Sequence, residues 1–418
     1  MLRHGLRILV LLLVAAPAAG QPAFAPFHAD GIYAVGERVG WTVTLPAGRP
    51  VPEGGYRYVV RRNNAGTLKE AALDLSKSST TIETSLDAPG MIAVEITGAP
   101  GDKPITLGAA VAPFDLEPSV PRPEDFNAFW EAKLAALAAV PMDAELTPAD
   151  SGDPTVDLFV VRLASLGSHV RGYLAKPKAG GKHPALVMFQ YAGVYALDKH
   201  PVVSRASEGW LVLDVDSHDL APDQATGVPE TYWEIGNTSR ETSYFLAMYL
   251  RDTRAIDYLA TRPEWDGATL VAMGASMGGQ QALAAAGLNS RVTGVIAHEP
   301  AGADSNGDAH GRTAGYPSWS GTPAALHTGL YFDVVNFAPR IKAPTLVSMG
   351  FVDVVTPPVG IWITFNQLAG PREAVPMIES NHAFLTPDKT VAYEQRSKEV
   401  LTTLVAGGRF VPAGPYAR

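Results

Sequence analysis

"MGASMGGQQALAAAG", residues 273–287, decides how the rest of the chain is read. Gly274-Ala275-Ser276-Met277-Gly278 fits the pattern Gly-x-Ser-x-Gly, and Gly279 follows. Such a string arises by chance in a chain with 40 glycines, so its context must decide between an activated nucleophile and a turn serine. The context is specific. An apolar run, "ATLVAMG" (268–274), leads into the motif, and an Ala-rich run, "QQALAAAGL", leaves it. Strand, sharp turn and helix are the setting in which this motif lifts a serine out of a sheet as a nucleophile elbow. The turn is so tight that residues two positions either side of the serine cannot carry a large side chain, which Gly274 and Gly278 satisfy. The backbone N–H of Met277 opens the helix, where it can stabilise an oxyanion.

Outward from the motif the texture is α/β. "PALVMFQY" (184–191), "GWLVLDVD" (209–216), "VTGVIAHE" (292–299) and "PTLVSMG" (344–350) are short, continuous apolar runs. "RETSYFLAMYLRDTRAIDYLATR" (240–262) reads as a long helix, and another is expected over roughly 387–405. Continuous apolar strands alternating with helices predict a mostly parallel, doubly wound sheet covered on both faces: an α/β-hydrolase domain. "TVDLFVVRLAS" and "HVRGYLAKP" are also strand-like, the second polar enough to suggest a sheet edge. An amphipathic helix is expected over 124–140, with Phe126, Phe129, Leu134 and Leu137 on or near one face.

Upstream the pattern differs. Trp41, Val43 and Leu45, then Tyr56, Tyr58 and Val60, then Ile92, Val94 and Ile96 alternate with other residues. Turn signals such as Asn63-Asn64-Ala65-Gly66 and Pro89-Gly90 separate them, which predicts a small all-β, immunoglobulin-like sandwich. The proline-rich stretch "PFDLEPSVPRP" (113–123) marks the boundary, giving a β-sandwich over 21–116 and a catalytic domain over 117–418. The first twenty residues form a third unit. Arg3, His4 and Arg7 precede the apolar run Ile8–Ala16, and Ala18-Ala19-Gly20 offers a cleavage site before Gln21. This is the layout of a secretory signal peptide, so the mature chain is expected to be secreted or periplasmic, with no membrane span after cleavage. A net charge of −9 and the lack of a basic run argue against nucleic acid as a partner. With no cysteine, disulfides and thiolate metal sites are excluded.

A serine needs a base, and the base an orienting acid, in the chain order Ser, acid, His for this fold. His298, His310 and His327 lie downstream, but only His382, in "ESNHAFLTP", falls between the last strand-like segment (374–378) and the final helix. Asp353 follows the strand "PTLVSMG" by three residues and so lies at the C-terminal edge of the sheet. Glu299, after the preceding strand, competes with it, and Glu379 does so less well. The second oxyanion donor is expected from the loop after "PALVMFQY", as the Tyr191 N–H, with Gly193 allowing close backbone approach. Tyr232, Trp233, Trp319 and Trp362 are candidates for pocket walls, although core packing accounts for them equally. No cofactor or metal is required.

From about residue 120 the chain resembles carbohydrate esterase family seven, the acetyl xylan esterases and cephalosporin C deacetylases. The segments that carry the resemblance are "YFLAMYLRDTRAIDYLATRPEWDG" (244–267), "GASMGGQQALAAAGLNSRV" (274–292), "YFDVVNFAPRIKAPTLVSMGFVDVVTPP" (331–358) and His382. The resemblance implies a Ser276–His382–Asp353 triad, an oxyanion hole of the Tyr191 and Met277 amides, and deacetylation of an acetylated oligo- or polysaccharide. Another ester (feruloyl, glucuronoyl methyl or antibiotic acyl), or a peptide bond, is the alternative substrate. This chain departs from the family pattern at three places. Ser217-His218-Asp219 stands where the family has Arg-Gly-Gln, Met277 where it has Gln, and Ala383 where it has Glu.

Overall fold

The computed structural model describes residues 22–45, 55–76, 79–98, 103–319, 321–382 and 387–418; the expected signal peptide lies outside the described residues. Strands β1 (Ala23–Pro26), β2 (Ile32–Tyr33), β3 (Val39–Thr44), β4 (Tyr56–Arg62), β5 (Gly66–Leu73), β6 (Ser79–Thr84), β7 (Gly90–Thr97) and β8 (Ile105–Val111) come first. They form a three-stranded sheet, β1-β3-β6, and a five-stranded sheet, β2-β8-β7-β4-β5. Alternation explains the pairing. Val39, Trp41, Val43 and Ile82 of the small sheet share a buried cluster with Tyr58, Val60, Ile92, Val94 and Ile96 of the large one. Most residues between them in sequence are less buried, as period-two patterning requires, while Gly40 is covered by Phe27.

After helix α1 (Phe126–Ala138), the chain builds a nine-stranded sheet from β9 (Glu145–Ala149), β10 (Val156–Ser165), β11 (Ser168–Pro177), β12 (His183–Phe189), β13 (Leu211–Val215), β14 (Trp265–Ala275), β15 (Gly294–His298), β16 (Thr345–Gly350) and β17 (Arg372–Met377). The order is β17-β16-β15-β14-β12-β13-β11-β10-β9. Pairing is parallel from β17 to β13 and antiparallel from β13 to β9. The "HVRGYLAKP" strand is therefore not an edge: β11 lies between β10 and β13. Its polar residues have partners instead, since Arg171 Nε donates to Asp219 Oδ1 at 3.0 Å and the His169 N–H donates to Oδ2 at 2.9 Å.

The helices are α2 (Lys199–Ser207), α3 (Tyr244–Thr261), α4 (Met277–Leu288), α5 (Pro323–Gly329), α6 (Val334–Phe337), α7 (Pro358–Gln367) and α8 (Val391–Val405). Successive strand residues serve opposite faces. Val187 and Ala272 pack with Ile256 of α3, Leu283 of α4 and Ile361 of α7, whereas Leu186 and Val271 pack with Val202 of α2 and Leu401 of α8. Burying an aliphatic side chain this completely contributes about 1.5–3 kcal/mol, so both faces bind their helices firmly. The expected amphipathic helix runs over Phe126–Ala138 and buries Phe126, Phe129, Trp130 and Leu137, with Leu134 half-buried. No helix among the described residues is long and apolar enough to cross a membrane.

This topology positions the site. From β12 the chain moves to β13 on one side, then returns to β14 on the other, so the strand order reverses between β12 and β14. The crevice at their C-terminal ends is where open α/β sheets place their ligands.

Candidate active site

Phe189 of β12 pairs with Gly274 of β14, so the segments that leave these strands, 190–193 and 275–278, emerge side by side. Ser276 caps α4 with φ 55° and ψ −122°, a left-handed conformation that costs a side-chain-bearing residue about 1–3 kcal/mol. Its N–H donates to the His298 carbonyl at 2.9 Å, and its own carbonyl accepts from Ala301 and Gln280 at 3.0 Å each, which holds the strained turn. The flanking glycines are needed for close approach. A Cβ on Gly274 would lie 2.2 Å from the Gly278 carbonyl carbon, and one on Gly278 would lie 2.3 Å from the Phe189 oxygen. Both contacts are with backbone, which cannot move aside. Gly278→Ala is therefore expected to destabilise the fold by about 3 kcal/mol or more, read as a lower denaturation midpoint in urea.

The three residues of the expected triad meet. His382 Nε2 lies 3.0 Å from Ser276 Oγ, and its Nδ1 lies 2.8 Å from Asp353 Oδ2. Asp353 is fully buried and held from several directions. Its Oδ1 accepts the N–H groups of Val355 (2.7 Å) and Thr356 (2.9 Å), and its Oδ2 accepts the Thr356 hydroxyl (2.7 Å). A carboxylate with these donors is acceptor-only, so the Nδ1–H of His382 donates to it and leaves the Nε2 lone pair facing the serine.

Glu299 is also fully buried, but its nearest oxygen is 3.9 Å from His382 Nδ1. It accepts the Ser380 hydroxyl at 3.2 Å and so ties down the segment that carries His382. Glu299, Asp353 and His382 present potential metal-ligand atoms within 4.8 Å of one another. The oxygens of Asp353 are already committed to Val355, Thr356 and the imidazole, which suits a triad acid better than a metal ligand. Glu379 pairs instead with Lys389.

The expected oxyanion donors lie at the same end of the sheet. Met277 starts α4, so its N–H belongs to the first turn, whose donors have no acceptor within the helix. The Met277 side chain is buried, with Sδ 3.3 Å from both the Tyr232 and the Tyr316 hydroxyl; because one of these hydroxyls donates to the other, a single O–H is left to donate to the sulfur. The side chain at 277 therefore packs among buried aromatic residues. Tyr232 and Tyr316 share a 2.5 Å hydrogen bond, and Trp233 packs edge-on against both rings. Trp362 and Trp319 belong to the packing: Trp362 lies against Phe114 and Phe365, and Trp319 stacks on Phe332.

The loop that carries Tyr191 is held by residues that a motif search passes over. The Gln190 carbonyl accepts Gln281 Nε2 at 2.8 Å, while Gln190 Oε1 accepts the Ser217 N–H at 2.9 Å. His218 Nε2 lies 3.0 Å from the Gly193 carbonyl, and its Nδ1 lies 3.0 Å from the Tyr244 hydroxyl. Burial pushes this imidazole down to about 4, so it is neutral near pH 7. A carbonyl can only accept, so Nε2 carries the proton and Nδ1 accepts from Tyr244. Replacing His218 by Phe strips the half-buried Gly193 carbonyl of this donor and loosens the loop. Because losing a whole oxyanion donor costs 10²–10³-fold, His218→Phe is expected to lower kcat by about 10- to 100-fold. KM should change little, as steady-state kinetics on an aryl acetate would check. Thr356 is a further residue of the site, and its three-residue spacing from Asp353 is the sequence signal for it.

Comparison with known proteins gives the family of the chain. The curated acetyl esterase Axe7A of Xylanibacter ruminicola is 29% identical over 370 residues, covering 84% of each chain. An acetyl xylan esterase from Paenibacillus sp. R4 superposes with a TM-score of 0.60 at 25% identity, covering 69% of this chain and 97% of its own. Acetyl xylan esterase 1 from Thermoanaerobacterium sp. JW/SL YS485 has the same fold, with a TM-score of 0.59 at 20% identity, over 70% of this chain and 97% of its own. The acetyl xylan esterase (AXE1) family model matches residues 115–305 and 318–397. The chain thus belongs to the acetyl xylan esterase family and is a carboxylic ester hydrolase with an α/β-hydrolase fold.

Proposed function

We propose that the protein is an exported serine esterase that removes acetyl groups from acetylated xylan or related sugars. The observation that carries the mechanism is the unbroken chain Ser276 Oγ–His382–Asp353, at 3.0 and 2.8 Å. His382 Nε2 takes the Ser276 proton as Oγ attacks the acetyl carbonyl, and Asp353 stabilises the imidazolium. The Met277 and Tyr191 N–H groups receive the oxyanion of the tetrahedral intermediate. The same imidazolium protonates the departing sugar oxygen, leaving an acetyl-serine and a free hydroxyl. Water, deprotonated by His382, then releases acetate and restores the serine.

Family membership supports acetyl as the acyl group. The reading extends to the rest of the chain: an immunoglobulin-like sandwich over 21–116, a catalytic domain over 117–418, and a leader removed before Gln21. Secretion or a periplasmic location rests on that leader's composition. Two measurements test the proposal. Aryl acetate should be cleaved at least about 10-fold faster than aryl butyrate, because one extra methylene in a fitted pocket already costs 1–3 kcal/mol. Acetate release from acetylated xylan should exceed that from acetylated mannan or pectin. Preference for feruloyl, glucuronoyl methyl or longer acyl esters would point to the alternative substrates.

A further inference from the structure

The β-domain is not separate from the catalytic core. Met91 of β7 and Ala110 of β8 belong to the same buried cluster as Met349 and Phe351, which lead into the acid loop. At Gly108 of β8 the fit is closed. A Cβ there would lie 2.6 Å from Phe351 Cβ and 2.7 Å from the Phe351 carbonyl oxygen, two residues before Asp353. Gly31, which precedes β2, faces Phe351 and Ile378 in the same way; a Cβ would lie 3.4 and 2.9 Å from them.

The β4–β5 turn makes the polar contacts. Asn64 Nδ2 donates to the backbone carbonyl of Asp353 itself, at 3.4 Å. The carbonyl of Asn63 accepts the Thr313 N–H at 3.1 Å. Both asparagines have left-handed φ, 52° and 58°, a region that Asn tolerates better than most residues. Asn63 is locked in turn by Met91, whose N–H it accepts at 2.8 Å. On its other side the acid loop meets 315–316, since the Tyr316 N–H donates to the Val355 carbonyl at 2.9 Å. Residues 306–317 are the break in the family match, and residues before 115 lie outside it. These two stretches outside the family match touch each other, Asn63 on Thr313, and both contact the acid loop.

We infer that the β-domain is a brace for the catalytic acid: Gly108 sets the position of Phe351, and Asn64 is a positioning residue that acts through the Asp353 backbone. The inference rests on Asp353 being the triad acid. A spacer or a glycan-binding module would leave the hydrolysis of a small soluble ester untouched, whereas a brace would not.

The test uses the full chain with Asn64→Gly, Gly108→Val and, as a surface control on β5, Leu68→Ala. Asn64→Gly removes the amide while keeping the backbone free to hold its left-handed φ. It should lower kcat on an aryl acetate about 5-fold with KM unchanged, and raise amide exchange at 351–357 by a similar factor. Gly108→Val should lower kcat about 20-fold or more through displacement of Phe351. Leu68→Ala should behave as wild type. Unmoved kcat or unmoved exchange in Asn64→Gly overturns the brace, whether or not Gly108→Val folds. An inactive wild-type chain would instead fault the esterase reading; an active one with unmoved variants faults only the brace.

Discussion

Ser276→Ala is expected to reduce kcat on an aryl acetate by about 10⁵- to 10⁶-fold, with the folded state intact. The size follows from what is lost. Without Oγ there is no acyl-enzyme, and His382 Nε2, now without its 3.0 Å partner, can only activate water in a site shaped for a covalent step. The residue of activity over water should come from the Met277 and Tyr191 amides, which the substitution leaves in place. Stability should hold or rise slightly. Ala loses no backbone contact at 276, and the N–H to the His298 carbonyl remains. Two measurements settle it together: turnover at saturating substrate, and covalent labelling by a fluorophosphonate, which should disappear. Near-full activity in Ser276→Ala would remove the nucleophile assignment and with it the acyl-enzyme mechanism.

Asp353→Asn should come next in size, at about 10⁴-fold in kcat. The amide keeps the shape of the carboxylate but presents an N–H where His382 needs an acceptor, so the imidazole is driven to the wrong tautomer. Thr356 and Val355 sharpen the expectation, because their donors already hold Asp353 in one orientation and prevent it from turning to compensate. Glu299→Gln separates the two acids. Its oxygen is 3.9 Å from Nδ1, and its hydrogen bond is with Ser380. The loss there should stay within about 10-fold, the scale of one neutralised partner to a hydrogen bond. A reversal of these two magnitudes would transfer the acid's role to Glu299.

Several elements could be read from residue order alone because their cause is local. The apolar runs that became β12, β13, β14, β15 and β16 are buried on both faces, which leaves no polar alternation to confuse them. Helix α7, by contrast, has no signature in the residue order. "PVGIWITFNQ" buries eight of its ten residues, through Phe365, and a helix enclosed on all sides shows no amphipathic stripe. The polarity of β11 misleads for the opposite reason: Arg171 is matched by Asp219, some fifty positions later, and only folding brings them together. His218 and Asn64 are of the same kind. Asn64 reads as part of a turn signal and His218 as a departure from the family pattern, but each makes its contact with a backbone carbonyl that no spacing rule points to.

Residue order by itself determined the elbow. The demand for two small residues around a strained serine is met within five positions, and the strand and helix that flank it are adjacent in sequence. It also determined which histidine and which carboxylates could follow, because parallel strands deliver their loops to one edge. What only the tertiary structure decided was which of Asp353 and Glu299 lies within hydrogen-bonding distance of His382. Both follow neighbouring parallel strands, both are fully buried, and both reach the same imidazole. The difference between 2.8 and 3.9 Å is set by packing far from either in sequence: Ser380 draws Glu299 aside, while Thr356 and the pressure of the β-domain on Phe351 set Asp353 in line. Hydrogen-bond energy falls steeply over that interval, so about one ångström of tertiary placement separates the carboxylate that orients the imidazole from the one that anchors its loop.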